Sequence, residues 1–276
     1  MTTDCLHRAS FSGRPVSFRP RLLAFLSFIS LLVTLPAAQA ALCPTEYFDI
    51  QTSVKHIYDG DTVKLDNGER VRLLGFNTPE MNYKRGSPEA LAKEAKQALA
   101  DILYQNNNRI NLRLGNIKRD RYKRLLAHAY IDNGDNIGAM LLQKGFATSL
   151  VIPPNNFAID CYLQQESQAR QQRLGIWALP AYQVADSKTL DPDETAKGYR
   201  IIKGKVIQVK HSRRSIWLSL TGFVGLRVSR RDLENFTEFD PSTLTDKMVI
   251  ARGWIRPVQG ELVMRIRHPS ALEIVK

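Results

Sequence analysis

The sequence predicts a mainly β protein with some α-helix, arranged as two small barrels. Short apolar stretches bounded by turn residues recur along the chain, which is typical of strands. A segment from Pro180 to Gly198, rich in Asp, Pro, Ser, Thr and Lys and without clear apolar periodicity, separates two such regions. We therefore expect a first domain at residues 41–180, a linker at 181–197 and a second domain at 198–276.

The first region is predicted to contain five strands and three helices. The predicted strands are residues 54–57, 62–65, 70–76, 110–114 and 126–131. The predicted helices are residues 87–104, 136–144 and 157–173. A capping serine followed by proline favours a helix start at Ser87, and Gly145 favours a helix end after the second helix. Five strands with intervening helices fit a small closed barrel of the oligonucleotide/oligosaccharide-binding (OB) kind.

The last 79 residues predict a second, smaller OB-like barrel. Residues 249–255 and 262–266 are expected to form a hairpin that turns at Val258 and Gln259. In that register Trp254 would face Val263, and Arg252 would face Arg265. One face of the hairpin would then be apolar and the other would carry Arg252, Trp254, Arg256, Arg265 and Arg267.

Positive charge is concentrated in the second region. Residues 198–276 hold 15 basic and 7 acidic residues, a net charge of +8, whereas residues 41–197 hold 20 and 19, a net charge of +1. A basic face that carries an indole suits nucleic acid, because phosphates pair with arginines and bases stack on aromatic rings. We therefore predict that Arg252, Trp254, Arg265 and Arg267 bind substrate. The alternative is an ordinary solvated polar face.

The N-terminus has the features of a secretory signal peptide. Several arginines precede an apolar run of 14 residues at 22–35, and Ala38-Gln39-Ala40 follows. The run is shorter than the ~20 residues of a membrane-spanning helix. We expect residues 1–40 to be removed, leaving a secreted or periplasmic protein with no stable membrane insertion. The alternative is an uncleaved N-terminal membrane anchor.

Two cysteines, Cys43 and Cys161, would remain after this cleavage. An even pair in an oxidising compartment favours one disulfide, and the alternative is two buried thiols. Neither cysteine has another Cys or a His at the spacing of a zinc site, so metal binding by them is not expected.

The segment from Asp59 to Glu80 carries the chemistry of the chain. Two strands joined by an Asn-Gly turn bring carboxylates, Arg72 and Glu80 into one small volume. Hard carboxylate and carbonyl oxygens suit a cation such as Ca²⁺, and a guanidinium suits a phosphate. The pattern therefore indicates a site that holds a cation and a phosphate side by side.

Residues 54–177 resemble the staphylococcal nuclease family. The shared pieces follow the family's order with similar spacing: Asp59-Gly60-Asp61-Thr62, Arg72-Leu73-Leu74, Thr78-Pro79-Glu80, Asp120-Arg121-Tyr122-x-Arg124 and Gly175-Ile176-Trp177.

The resemblance implies a calcium-dependent phosphodiesterase, an endonuclease that cleaves DNA and RNA without strong sequence specificity. Asp61, Asn77 and Thr78 would hold the metal ion. Glu80 would activate or orient the attacking water. Arg72 and Arg124 would hold the phosphate, which lysine cannot imitate because it lacks a planar fork of donors.

Two departures from the family pattern affect these expectations. Asn77 stands where the family usually has an aspartate, so the metal site loses one negative charge, and we expect weaker calcium binding or tolerance of another divalent ion. Residues 147–156 contain no aromatic side chain, although the best-known member has tyrosines there, whereas Tyr122 remains to contact substrate. The alternatives are a catalytically impaired nucleic-acid-binding protein and an envelope interaction module.

Overall fold

The computed structural model describes residue 13 and residues 40–82, 86–193 and 198–275. Apart from Gly13 and Ala40, the predicted signal peptide lies outside the described residues. The chain divides into two units, residues 1–39 and 40–276, and every element below belongs to the second unit. In the described part of the chain no helix has the length and apolar character to cross a membrane.

The first half of the unit is a closed five-stranded barrel with three helices. This half of the unit contains the strands β1 (Ile50–Asp59), β2 (Thr62–Leu65), β3 (Arg70–Leu73), β4 (Gly75–Asn77), β5 (Arg109–Arg119), β6 (Leu125–Tyr130) and β7 (Thr148–Leu150). Its helices are α1 (Ala92–Gln105), α2 (Ile137–Gln143) and α3 (Ile159–Gln171). The barrel order is β1-β2-β3-β6-β5, in which β3 and β6 are parallel, and β4 pairs with β7 outside it.

Apolar alternation builds this barrel as the sequence predicts. Val63 and Leu65 on β2 and Val71 and Leu73 on β3 are buried in its core. The predicted strand 70–76 is interrupted at Leu74, and its second part becomes β4. At Gly75, φ is +92° and a Cβ atom would lie 2.1 Å from a ring carbon of Tyr162, so the chain needs glycine to turn there.

Helix α1 begins at Ala92, five residues after the predicted start at Ser87. The intervening segment bonds to the candidate site instead of continuing the helix. Glu89 accepts a hydrogen bond from the backbone N–H of Glu80 at 2.8 Å, and its own N–H donates to the Glu80 carbonyl at 2.9 Å. The second helix starts as predicted, because the Asn136 side chain caps it by accepting from the Ala139 N–H at 3.0 Å.

The second half of the unit is another closed five-stranded barrel. This half of the unit contains the strands β8 (Val184–Asp186), β9 (Gly198–His211), β10 (Ser215–Leu220), β11 (Val224–Ser229), β12 (Met248–Val258), β13 (Glu261–Ile266) and β14 (Leu272–Ile274). The order β9-β10-β11-β13-β12 closes where β12 pairs with β9, while β8 and β14 extend the sheet. Strands β11 and β13 are parallel, so both barrels share one connection order. The predicted OB-like architecture of both regions is confirmed.

The predicted register of the last hairpin is wrong by two residues. Val258 pairs with Glu261, so the turn is Gln259-Gly260, whose positive φ angles of 50° and 80° suit a two-residue hairpin turn. A shift of two residues keeps every side chain on its predicted face, because side chains alternate with period two. The neighbours do change: Val263 pairs with Arg256. Trp254 and Arg252 pair with β9 instead.

The two barrels are in direct contact. Part of the predicted linker forms β8, which pairs with β9, and Ser187 beside it is fully buried. The remainder of that linker includes residues 194–197, which lie outside the described residues. A buried apolar cluster also joins Trp177 of the first region to Tyr199 and Ile201 of the second.

Cys43 and Cys161 form a disulfide with a Cα–Cα distance of 5.8 Å. The bond fastens the segment that precedes β1 to helix α3. A crosslink over a separation of 118 residues restricts the unfolded chain and so favours the folded state.

Candidate active site

The candidate site lies where the β1–β2 turn meets the end of β4. Asp61 follows the turn and is only 2% exposed. Its Oδ2 atom accepts hydrogen bonds from the Thr78 N–H at 2.9 Å and from the Thr78 hydroxyl at 3.2 Å. A Cβ atom at Gly60 would lie 2.6 Å from Cγ2 of Thr78, so glycine is what lets the turn approach Thr78 this closely.

Arg72 on β3 points into the same cluster. Its Nη2 atom lies 3.1 Å from Oδ2 of Asp61 and donates to Oδ1 of Asn77 at 2.9 Å. Nη1 of Arg72 donates to the Leu73 carbonyl at 2.5 Å, and Nη2 also donates to the Phe76 carbonyl at 3.1 Å. The guanidinium is therefore fixed by the loop around β4.

Asn77 links Arg72 to the backbone of Thr78. While its Oδ1 accepts from Arg72, its Nδ2 donates to the Thr78 carbonyl at 2.8 Å. The amide oxygen and the carbonyl that the sequence predicts as metal ligands are thus both hydrogen-bonded to protein groups. An aspartate at position 77 would have no N–H to donate to that carbonyl.

Two further carboxylates lie beside Asp61. Burial and the negative charge of Asp61 raise the pKa of Asp59 to about 7. Reduced solvation and, again, the charge of Asp61 raise the pKa of Glu80. The positive charges of Arg72 and Arg124 act in the opposite direction and offset part of this rise in the pKa of Glu80. Glu80 therefore lies within electrostatic reach of Asp61 and of both arginines.

Arg124 comes from the turn between β5 and β6 and is held there by Asp120. The Asp120 carboxylate accepts from Arg124 Nε at 2.8 Å and from the backbone N–H groups of Tyr122 and Arg124, each at 2.9 Å. Within the described residues the two terminal nitrogens of Arg124 form no hydrogen bond, so they are available to a phosphate.

Tyr122 lies on the same turn and is 64% exposed. The guanidinium carbon of Arg121 lies 4.7 Å from the centre of its ring, and that of Arg124 lies 5.6 Å away. The ring is therefore placed beside Arg124 at the edge of the cluster, where a substrate could contact both.

The substrate-binding residues predicted in the second barrel divide into two groups. Trp254 is 42% exposed and lies with Arg265 and Arg267 along a groove between the barrels. Arg252 differs from the prediction: its Nη1 donates to Oε2 of Glu166 at 2.5 Å, and its side chain is 15% exposed. Arg252 is thus engaged by α3 of the first region rather than presented to a strand of nucleic acid.

Several residues of this arrangement were not singled out from the sequence. Asp120 belongs to a recognised motif, and its position four residues before Arg124 is a usable signal for an ion pair. Glu89 contacts Glu80, nine residues earlier, and Glu166 contacts Arg252, 86 residues later; nothing in the local pattern marks either acid.

The cluster offers the kinds of oxygen that a hard divalent cation prefers. In the described residues no three His, Cys, Asp or Glu side chains converge as a ready ligand group. The donors present are the buried Asp61 carboxylate, the Thr78 carbonyl and the Asn77 amide oxygen, with Asp59 adjacent to Asp61. These oxygens fit Ca²⁺ or a similar ion in type, although Arg72 contributes a positive charge on the same side of Asp61.

Comparison with known proteins agrees with this geometry. Residues 70–179 match the family described as staphylococcal nuclease homologue. A micrococcal nuclease from Shigella flexneri is 30% identical over 168 residues, which cover 57% of this chain and 85% of that protein. The protein is a member of the staphylococcal nuclease family.

Two further similar proteins match over a smaller part of their length. The SPbeta prophage-derived endonuclease YokF and the endonuclease YncB, both of Bacillus subtilis, are 28% and 29% identical over 137 residues. This chain covers 46% and 64% of their respective lengths. The staphylococcal nuclease match over residues 70–179 contains Arg72, Glu80 and Arg124. Asp61 and the second barrel lie outside it.

Proposed function

We propose that the protein is a divalent-metal-dependent nuclease that hydrolyses phosphodiester bonds of DNA and RNA without strong sequence specificity. The observation that supports this most is the geometry around Asp61, which lies 3.1 Å from Nη2 of Arg72 and accepts a hydrogen bond from the Thr78 N–H, two residues before Glu80. A carboxylate, two guanidinium groups and a buried acid with oxygen neighbours are thus gathered at one end of the first barrel.

Each of these groups has a role in phosphodiester hydrolysis. The substrate phosphate is negative and repels an incoming hydroxide, and its charge increases as the five-coordinate phosphorus forms. Arg124, held by Asp120, offers two free terminal nitrogens to the phosphate oxygens, and Arg72 adds a second positive charge. Glu80 would take a proton from the attacking water as the water oxygen bonds to phosphorus; the phosphorus–oxygen bond to the leaving group then breaks, and the leaving oxygen takes up a proton from solvent.

The metal ion would be held by Asp61, by the Thr78 carbonyl and by Asn77. When bound, a divalent cation adds positive charge beside the reacting phosphate. We propose calcium because the donors are hard oxygens. Asn77 lowers the negative charge available, so another divalent ion could also serve.

One observation favours a second candidate, a nucleic-acid-binding protein with impaired catalysis. Oδ1 of Asn77 accepts from Arg72 and the Thr78 carbonyl accepts from Nδ2 of Asn77, so both ligand oxygens and one phosphate-binding side chain are already engaged in hydrogen bonds within the protein. An envelope interaction module is less well supported, since it gives no role to the cluster of Asp61, Arg72, Glu80 and Arg124.

We further propose that the protein is exported and acts in the periplasm or outside the cell. The basic, apolar and small-residue segments before Ala41 support a cleaved signal peptide. The Cys43–Cys161 disulfide also supports an oxidising compartment. Cell fractionation with N-terminal sequencing of the product tests this proposal, and full-length protein held in the membrane would favour the anchor instead.

The nuclease proposal is tested by incubating the protein with labelled DNA and RNA in calcium, in magnesium and in a chelator. Cleavage of both polymers with a divalent ion and none with the chelator is expected. Tight binding without cleavage in every ion would favour the second candidate. Neither binding nor cleavage would overturn both and favour the interaction module.

A further inference from the structure

A groove lies between the two barrels, next to the candidate active site. Its volume is about 310 Å³, within the range of small-ligand sites. The first region contributes Asn77, Ser149 and Val151, and the second contributes Trp254, Arg267 and His268. Because Asn77 accepts a hydrogen bond from Arg72, the groove begins beside a proposed phosphate-binding residue. Trp254 and Asn77 also line an adjoining depression of about 440 Å³.

The two walls of the groove are fixed to each other. Glu166 accepts from Arg252 at 2.5 Å and from the Ser149 hydroxyl at 2.6 Å. Arg252 also donates to the Ser270 carbonyl at 2.9 Å. Ser149 in turn pairs with Phe76 between β7 and β4. A contact made in the groove would therefore be preorganised relative to the active site.

The groove carries positive charge that is only partly held in ion pairs. Arg265 is paired with Asp232 at 2.7 Å, but Arg267 has no ion pair among the described residues. Burial and the nearby positive charges of Arg265 and Arg231 lower the pKa of Arg267, although the negative charge of Asp232 acts in the opposite direction. A phosphate beside Arg267 would offset this repulsion and could accept two of its hydrogen bonds.

Trp254 supplies an aromatic surface at the same place. Its ring meets Tyr199 edge to face, with 5.2 Å between centres, and the side chain remains 42% exposed. The facing wall, residues 149–152, contains no aromatic residue. An exposed indole beside an unpaired arginine is the combination that binds a base and its phosphate.

We propose that this groove is a subsite for a nucleotide adjacent to the cleaved bond in a single-stranded substrate, with its base stacked on Trp254 and a phosphate bound by Arg267. The proposal rests on the proposed nuclease function and adds a substrate class to it. Bases in a duplex are paired and stacked on one another, so stacking one of them on an indole costs the free energy of unpairing and unstacking, which is least for a single strand. The same chemistry serves DNA and RNA.

The test measures binding of labelled single-stranded oligonucleotides, in DNA and RNA form, and of a matched hairpin duplex. The full chain carrying Glu80→Gln is used in calcium, so that cleavage does not deplete the probe. We expect tighter binding of the single strands. Adding Trp254→Ala should weaken single-strand binding roughly 5- to 150-fold, the scale of one lost stacking contact. Trp254→Phe should retain most of the affinity because it keeps a ring.

Matched control variants distinguish an effect specific to the groove from the effect of removing any exposed aromatic or basic side chain. Phe223→Ala removes an exposed aromatic side chain between β10 and β11, outside both depressions, and should leave affinity nearly unchanged. Arg267→Gln should weaken binding and reduce the salt slope by about 1, as expected for one lost phosphate contact. Arg213→Gln, in the exposed β9–β10 turn, should do neither.

Equal single-strand affinity with and without Trp254→Ala would overturn the subsite, as would equal affinity for single strands and duplex. Cleavage by the unaltered protein would in that case leave the nuclease function standing. If the unaltered protein does not cleave but Trp254→Ala still abolishes binding, the function fails and the groove remains a binding site.

Discussion

Arg252 of the second barrel and Glu166 of helix α3 form an ion pair across the contact between the barrels, with 2.5 Å between Nη1 and Oε2. The Glu166 side chain is 1% exposed. Together with the apolar cluster of Trp177, Tyr199 and Ile201, this pair makes the second barrel an integral part of the structure. Deleting residues 198–276 would expose that cluster and leave Glu166 without its cation, so point variants are the better probe of the second barrel.

We predict that Arg252→Met lowers the free energy of unfolding by about 3–5 kcal/mol, because Glu166 would remain buried without a positive partner. Urea unfolding at neutral pH measures the change. The control is Lys205→Met, which removes an exposed ion pair with Asp246 and should have a much smaller effect. Equal losses for the two variants would mean that the Arg252–Glu166 pair contributes no more than a surface contact.

The second prediction concerns the chemical step. Glu80→Gln and Arg124→Ala should each lower turnover by about 10²-fold or more, the scale for losing a positioned base or a charge stabiliser. Initial rates on labelled DNA at saturating calcium measure this. Arg109→Ala is the matched control, since Arg109 pairs with Asp132 away from the site. Wild-type rates in either site variant would exclude the roles proposed for Glu80 and Arg124.

The arrangement of each barrel could be predicted from the sequence because it rests on local patterns. Val63, Leu65, Val71 and Leu73 alternate with polar residues, and the Asn-Gly turn joins their strands. The order of Asp61, Arg72, Glu80 and Arg124 was likewise visible from motif spacing. In the structure Asp61 lies 3.1 Å from Arg72, and Asp120 holds Arg124 on the turn between β5 and β6.

Contacts between distant segments could not be predicted in this way. Glu89 satisfies the Glu80 backbone rather than starting α1, and Arg252 pairs with Glu166, which lies 86 residues earlier. Neither choice follows from local propensity, since Glu89 meets Glu80 where the chain folds back before α1, and Arg252 meets Glu166 only where the two barrels pack. The hairpin turn at Gln259-Gly260 was missed for a different reason, because two adjacent turn positions fit the same alternating pattern.

The third prediction uses Asn77. Asn77→Asp should tighten calcium binding, because the variant adds a negative charge and no longer donates to the Thr78 carbonyl, which is then free to bind the ion. Calorimetric titration with calcium measures both affinities. Asn67→Asp adds the same charge in the β2–β3 turn and should leave the affinity unchanged. If both variants match the wild type, Asn77 does not contribute to the metal site.

The fourth prediction concerns acid stability and His128. Burial, with a smaller contribution from the positive charge of Arg113, lowers the pKa of His128 to about 3. The ring is packed against Phe157, and its Nδ1 lies 2.7 Å from the Tyr162 hydroxyl, so it stays neutral in the fold. In the unfolded chain a histidine titrates near 6.5. As pH falls from about 6.5 towards 3, the unfolded state therefore binds a proton that the folded state does not, and stability is lost.

We expect this one group to lower the free energy of unfolding by about 2 kcal/mol between pH 7 and pH 5. His128→Gln should reduce that loss by the same amount, even though its stability at pH 7 falls because the packing changes. The comparison is the difference between the two pH values within each variant, measured by urea unfolding with the disulfide intact. His56→Gln removes an exposed histidine from β1 and should keep the pH dependence of the wild type. If His128→Gln lost as much stability between pH 7 and pH 5 as the wild type, His128 would have to accept a proton within the folded protein, and the acid sensitivity would belong to the carboxylates.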